Sequence, residues 1–234
     1  MRKKKAIMRW LFFFLPLPLF SSTVIPYLNY MSPPNQLTLV RVILTPVFAF
    51  LLISDSTTNK QLALLVYVIA ALTDWYDGWV ARRWGFITRW GKFFDPLADK
   101  ILTSTAFIMF AWIGYADAWM VWIIVVRDLL VTALRSYTEY KGKPVDTSKF
   151  AKTKTFVQLV VIYLFLIAYV VRNSPALYSI AGTIVNRIMI PEVTFSAMLI
   201  VTFLTAWTGI LYAVRNWQTI KDLFSTHART AESE

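Results

Sequence analysis

The sequence predicts an all-α integral membrane protein, with six transmembrane helices preceded by an N-terminal amphipathic helix lying in the membrane interface. Three observations predict it. Hydrophobic residues make up 57% of the chain and fall in long blocks, against about 45–50% in a soluble domain. Aromatics make up 16%, as expected where rings settle at membrane–water boundaries. The formal net charge is +11, and the basic residues flank the apolar blocks.

Residues 1–34 come first. A basic start (Arg2, Lys3, Lys4, Lys5) precedes an apolar run from Trp10 to Phe20, interrupted by Pro16 and Pro18. A cleaved signal peptide, a seventh span and an interfacial helix are the three readings. A span here would carry the lysines outside, against the charge rule. The run is also short of the roughly 20 residues a crossing needs. An interfacial helix followed by a Pro-rich connector (Pro26, Pro33, Pro34) is therefore expected. The membrane domain is read as 35–216, with spans near 37–53, 61–80, 100–116, 119–138, 155–172 and 193–214. Residues 217–234 form a polar tail.

The links between spans differ in charge. Arg82, Arg83, Arg89 and Lys92 follow the second span, and Lys141, Lys143, Lys149, Lys152 and Lys154 follow the fourth. The opposing links hold few cations: Lys60 after the first span, none in 114–118, and Arg172 and Arg187 in 172–192. Basic links face the cytoplasm, so both termini are expected there. Nucleic acid is not an expected partner, because no soluble basic domain exists to bind it. The chain has no Cys, which excludes thiolate metal sites and disulfides. Its single histidine, His227, lies in the tail, which argues against a Ser–His–Asp triad.

The acids in the apolar blocks carry the chemistry. Asp74 and Asp77 end the second apolar run, and spacing i, i+3 sets them on one helical face. Asp95 and Asp99, at i, i+4, share a face at the start of the third, where Pro96 is expected in the first turn. A carboxylate at membrane depth costs about 2.5–3.5 kcal/mol on insertion scales. Four together need protons, cations or metal. Carboxylate oxygens without His or Cys suit Mg2+ or Mn2+, and a pair of such ions can clamp a displacement at phosphorus. A structural charge cluster with Arg82, Arg83, Arg89, Lys92 and Lys100 is the alternative.

Asp74, Asp77, Gly78, Ala81, Arg82, Gly91, Asp95 and Asp99 also spell D-x2-D-G-x2-A-R-x8-G-x3-D-x3-D, with every fixed position and spacing intact. This resembles the signature of the CDP-alcohol phosphotransferase family. Asn35-Gln-Leu-Thr38-Leu-Val-Arg41 resembles the stretch opening the first span in this family, and Arg127-Asp128, Leu134-Arg135 and Lys152-Thr-Lys154-Thr-Phe-Val-Gln158 look like its bacterial phosphatidylglycerophosphate synthase branch. Two departures stand out: Asp128 where that branch has Glu, and Ala151 where it has Gly.

The resemblance implies a homodimeric six-helix enzyme of the bacterial cytoplasmic membrane, its site open to the cytoplasm. Asp74, Asp77, Asp95 and Asp99 would hold two ions of Mg2+ or Mn2+, with Asp99 as general base. Thr38, Arg41, Gly78, Ala81 and Arg82 would bind CDP-diacylglycerol in the bilayer. The acceptor would be sn-glycerol 3-phosphate, its phosphate held by Arg127, Arg135, Lys152 and Lys154. Inositol phosphate, serine or phosphatidylglycerol are the other acceptors within the family. A cation transporter is the rival from another class, but it predicts acids spread through the bilayer depth, and here the motif acids sit at one boundary.

Topology is directly testable in a Cys-free chain. Cysteines placed at Ser56 and Thr147 should label from opposite sides of the membrane, with Thr147 cytoplasmic. Labelling from the same side would show that the span count between them is wrong.

Overall fold

A computed structural model of the chain describes residues 33–84, 89–140, 149–218 and 221. The expected N-terminal helix, the Lys-rich link 141–148 and most of the tail lie outside them. The described elements are α1 (Pro33–Ile53), α2 (Thr57–Trp84), α3 (Arg89–Trp112), α4 (Ala118–Tyr140), α5 (Lys149–Arg172), α6 (Pro175–Ile188) and α7 (Pro191–Arg215). No strand occurs among the described residues. The described fold is thus all helical. Among the described residues, two helices are long and apolar enough to cross a membrane, by length and composition: Phe150–Arg172 and Pro191–Arg215.

Six helices cover the six predicted segments, and two differences matter. First, α3 begins at Arg89, eleven residues before the expected boundary, because its charged opening turns carry no hydropathy signal. Pro96 therefore lies inside the helix, not in its first turn. Its missing N–H takes away the i−4 bond that the carbonyl of Lys92 would otherwise receive. Second, 175–188 was read as connector and is a helix, α6. Its 14 residues span about 21 Å at 1.5 Å per residue, too short to cross a bilayer.

Short links fold consecutive helices back on one another. α1 pairs closely with α2 and α3, while α4 packs on α3 and α7, and α5 on α2, α3, α6 and α7. The α1–α2 seam works because α2 offers Ala63, Tyr67 and Ala70 at helical spacing, facing Phe48 and Leu52, all fully buried. Small residues at such a seam let backbones approach closely. The core continues through Leu102, Phe107, Phe110, Ile124, Ile162 and Phe165.

The face that α7 buries contains Thr194, Thr202, Thr205 and Thr208. Their cost is small where the hydroxyl bonds back into its own helix, as Thr202 does to Met198 O at 2.8 Å and Thr208 to Leu204 O at 2.8 Å.

The two ends of the bundle are built differently. At the end holding the α1–α2 and α5–α6 turns, Phe165 packs edge-on to Phe110 (5.4 Å) and Tyr115 (6.1 Å), and Tyr115 to Tyr169 (5.9 Å). Lys60 lies over Tyr169 and donates to Asn173 Oδ1 at 2.6 Å, while Gln61 donates to Ser174 Oγ at 3.0 Å. Gly114, at φ +84, closes α3 in a left-handed conformation that favours glycine. Rings and the hydrogen bonds of Lys60 and Gln61 hold this end. The motif acids lie on helix turns at the opposite end.

Candidate active site

The polar end is assembled from the starts of α1, α3 and α5 and the later turns of α2, α4 and α7. The second half of α2 carries Asp74, Asp77, Gly78, Ala81 and Arg82, and the first half of α3 carries Gly91, Asp95 and Asp99. The helix runs unbroken through each group, so the i, i+3 and i, i+4 pairs keep the register read from the sequence. The side chains of this set lie outside the described ones except Asp99. Its carboxylate is about one-third exposed (35%) and lies 3.8 Å from Lys100 Nζ. Among the described residues no group of three acids or histidines forms a metal cluster.

Arg41 ties α1 to this region. It is fully buried, and its Nε donates to the carbonyl of Ala70 on α2 at 3.3 Å, one turn before Asp74. Thr73 donates to the same carbonyl at 2.7 Å. Thr38, one turn before Arg41, is buried as well. A buried guanidinium is costly in a membrane helix and marks a functional position by default.

A second polar centre joins α4, α5 and α7. Asp128 is buried, and its carboxylate accepts from three donors: Arg127 Nη1 at 3.0 Å, Lys154 Nζ, and Gln158 Nε2 at 3.1 Å. Gln158 also donates to Thr205 on α7 at 3.3 Å. Lys154 is 2% exposed. Two cations thus meet one carboxylate, leaving an excess of positive charge in a desolvated place. Lys100 lies near enough for its charge to act on both Asp128 and Lys154.

Arg127 owes its position to Gly209 on α7. A Cβ at Gly209 would come within 2.9 Å of Arg127 Cγ, so only glycine leaves room for that stem. The stem borders a cavity of about 390 Å³ between α4 and α7, walled by Val126, Leu130, Ala206 and Ile210.

Of the four cations expected to hold an acceptor phosphate, the structure brings Arg127 and Lys154 together on Asp128. Arg135 and Lys152 are exposed, one on the later turns of α4 and one on the first turn of α5. The role of Asp128 as the hub for Lys154 and Gln158 is not among the sequence expectations, although the i, i+4 spacing of Lys154 and Gln158 signals that both face one neighbour.

A motif of acids on two adjoining helices, inside an all-helical apolar bundle, defines a class of membrane transferase. Residues 31–220 match the CDP-alcohol phosphatidyltransferase family, and the chain belongs to it. It is an enzyme of that class. Three relatives carry the name CDP-diacylglycerol–glycerol-3-phosphate 3-phosphatidyltransferase. The chain is 32% identical to that of Bacillus subtilis (strain 168) over 200 residues, covering 80% of this chain and 96% of the relative. It is 32% identical to that of Rickettsia typhi over 179 residues, 76% of this chain and 93% of the relative. It is 38% identical to that of Escherichia coli (strain K12) over 133 residues, 54% of this chain and 72% of the relative.

The Asp128 hub has a measurable consequence. Asp128→Asn keeps the shape and strands two cations, and breaking a buried pair costs about 3–5 kcal/mol. Its thermal midpoint in detergent should fall well below that of the native chain. Adding Lys154→Met should recover part of the loss. An unchanged midpoint in the single variant would show that the carboxylate holds nothing together.

Proposed function

We propose that this protein transfers the phosphatidyl group of CDP-diacylglycerol to sn-glycerol 3-phosphate, giving phosphatidylglycerophosphate and CMP, a step of phospholipid biosynthesis. The observation that carries this reading is the complete eight-position motif lying on two unbroken helices. The relatives that share the substrate name support the acceptor.

The protein acts as a homodimer in the bacterial cytoplasmic membrane. Its six long helices cross the bilayer, and its charged end opens to the cytoplasm. The charge distribution of the links supports this orientation.

The acceptor hydroxyl attacks the phosphorus that bears diacylglycerol. The new P–O bond forms as the bond to the CMP phosphate breaks, and the hydroxyl proton passes to Asp99. Asp99 suits that role because its carboxylate is partly open and lies in the first half of α3, one turn after Asp95. The donor set of Asp74, Asp77, Asp95 and Asp99 is all carboxylate oxygen and fits two hard divalent cations, Mg2+ or Mn2+. When bound there, such ions neutralise the charge of the pyrophosphate and of the departing CMP. Thr38, Arg41, Gly78, Ala81 and Arg82 hold the CDP-lipid, whose acyl chains never leave the bilayer.

The acceptor carries its own phosphate and needs cations beyond these. The excess positive charge on Arg127 and Lys154 supplies them, with exposed Arg135 and Lys152 nearer the mouth. Arginine offers a fork that matches phosphate.

Asp99→Asn should lower turnover at least about 100-fold, in line with general-base contributions, with a smaller change in CDP-diacylglycerol KM. Near-normal turnover would remove Asp99 from that role. Arg135→Ala should raise the KM for glycerol 3-phosphate alone. A lost charge-assisted hydrogen bond costs about 1.5–3 kcal/mol, or roughly 10- to 150-fold at 1.4 kcal/mol per decade. If both KM values rise together, Arg135 belongs to the CDP site or to the scaffold.

A further inference from the structure

The helix that hydropathy overlooked, α6, has three distinct sides. At about 100° per residue, Gly182, Val185 and the capping Met189 fall on one side, and all three are buried. This side packs against α5. Leu177, Ile180, Ile184 and Ile188 fall within about 80° of one another on a second side. Ile180 is 84% exposed and Ile184 63% exposed. Ser179, Thr183, Asn186 and Arg187 fall on the third side, and all are exposed. A helix standing in water has no use for an exposed apolar side. A helix sunk in the bilayer core could not keep the polar one.

Its connections fix its depth. Two residues, Asn173 and Ser174, join it to the end of α5, and two more, Met189 and Ile190, join it to the start of α7. Among the described residues, those are the two helices long and apolar enough to cross a membrane. Both ends of α6 are therefore tethered at a bilayer boundary, and its length forbids a crossing. The helices that flank it also expose apolar residues, Ile167 on α5 and Val193 and Phe195 on α7. Arg187 sits where the polar side meets the apolar one.

We infer that α6 is a membrane-interface helix on the face opposite the active site, with Leu177, Ile180, Ile184 and Ile188 in the acyl-chain boundary and Arg187 at the headgroups. Its partner is the lipid surface itself. The assignment rests on α5 and α7 crossing the bilayer.

The test uses the Cys-free chain. Single cysteines replace Ile180, Ile184, Ser179 or Thr183, with Leu164 and Phe203 as references on α5 and α7, each carrying a nitroxide in lipid vesicles. Collision with oxygen, which concentrates in acyl chains, is compared with collision with a water-soluble nickel chelate. Labels at 180 and 184 should favour oxygen, as the references do, while labels at 179 and 183 favour nickel. If all four α6 labels favour nickel while the references favour oxygen, α6 stands in water and the inference fails alone. If labels at 180 and 184 reach neither reagent, or broaden one another between copies, a second chain covers that side and the lipid assignment fails. If the references favour nickel too, the spanning reading of α5 and α7 falls, and α6 with it.

Discussion

A buried carboxylate that accepts from an arginine, a lysine and a glutamine is the interaction on which the polar half of this bundle depends. Asp128 alone would not be tolerated in an apolar helix, and neither would Arg127 or Lys154. Together they satisfy one another and fix the relative positions of α4, α5 and α7. Buried pairs of this kind seldom add net stability over a hydrophobic core. What they supply is a defined place for charge. Here the sum is positive and lies within the field of Lys100, next to Asp99.

The rest of the architecture separates rigidity from chemistry along the bundle axis. Edge-on aromatic contacts around Phe165 and the Lys60–Asn173 hydrogen bond close one end. The Ala-lined α1–α2 seam then carries the chain to the other end, where Arg41 bridges to the turn before Asp74. A site that joins a lipid-linked pyrophosphate to a soluble phosphate ester, as proposed for this one, must sit at a boundary. Concentrating cations and acids at one end of long helices achieves that.

The motif was legible because its spacing is a local property of a helix. Residues three and four apart share a face wherever the helix runs unbroken, and α2 and α3 do run unbroken through it. The long helices were legible because apolar length is also local. α6 was not, since its 14 residues fall below span length and polar residues break its apolar side. The early start of α3, which places Pro96 within the helix, escaped notice because charged turns carry no hydropathy. The Asp128 hub was hidden for a different reason. Its bonds join residues 26 and 30 apart, and the Gln158–Thr205 contact spans 47. Only the packing of three helices reveals such pairings.

The central claim is that the acid motif transfers a phosphatidyl group to glycerol 3-phosphate. The most direct measurement is CMP release by the purified protein in detergent, with CDP-diacylglycerol, Mg2+ and a panel of acceptors. Release should depend on glycerol 3-phosphate, stop on chelation and return with added Mg2+. Release supported by inositol phosphate, serine or phosphatidylglycerol but not by glycerol 3-phosphate, or release untouched by exhaustive chelation, would contradict it.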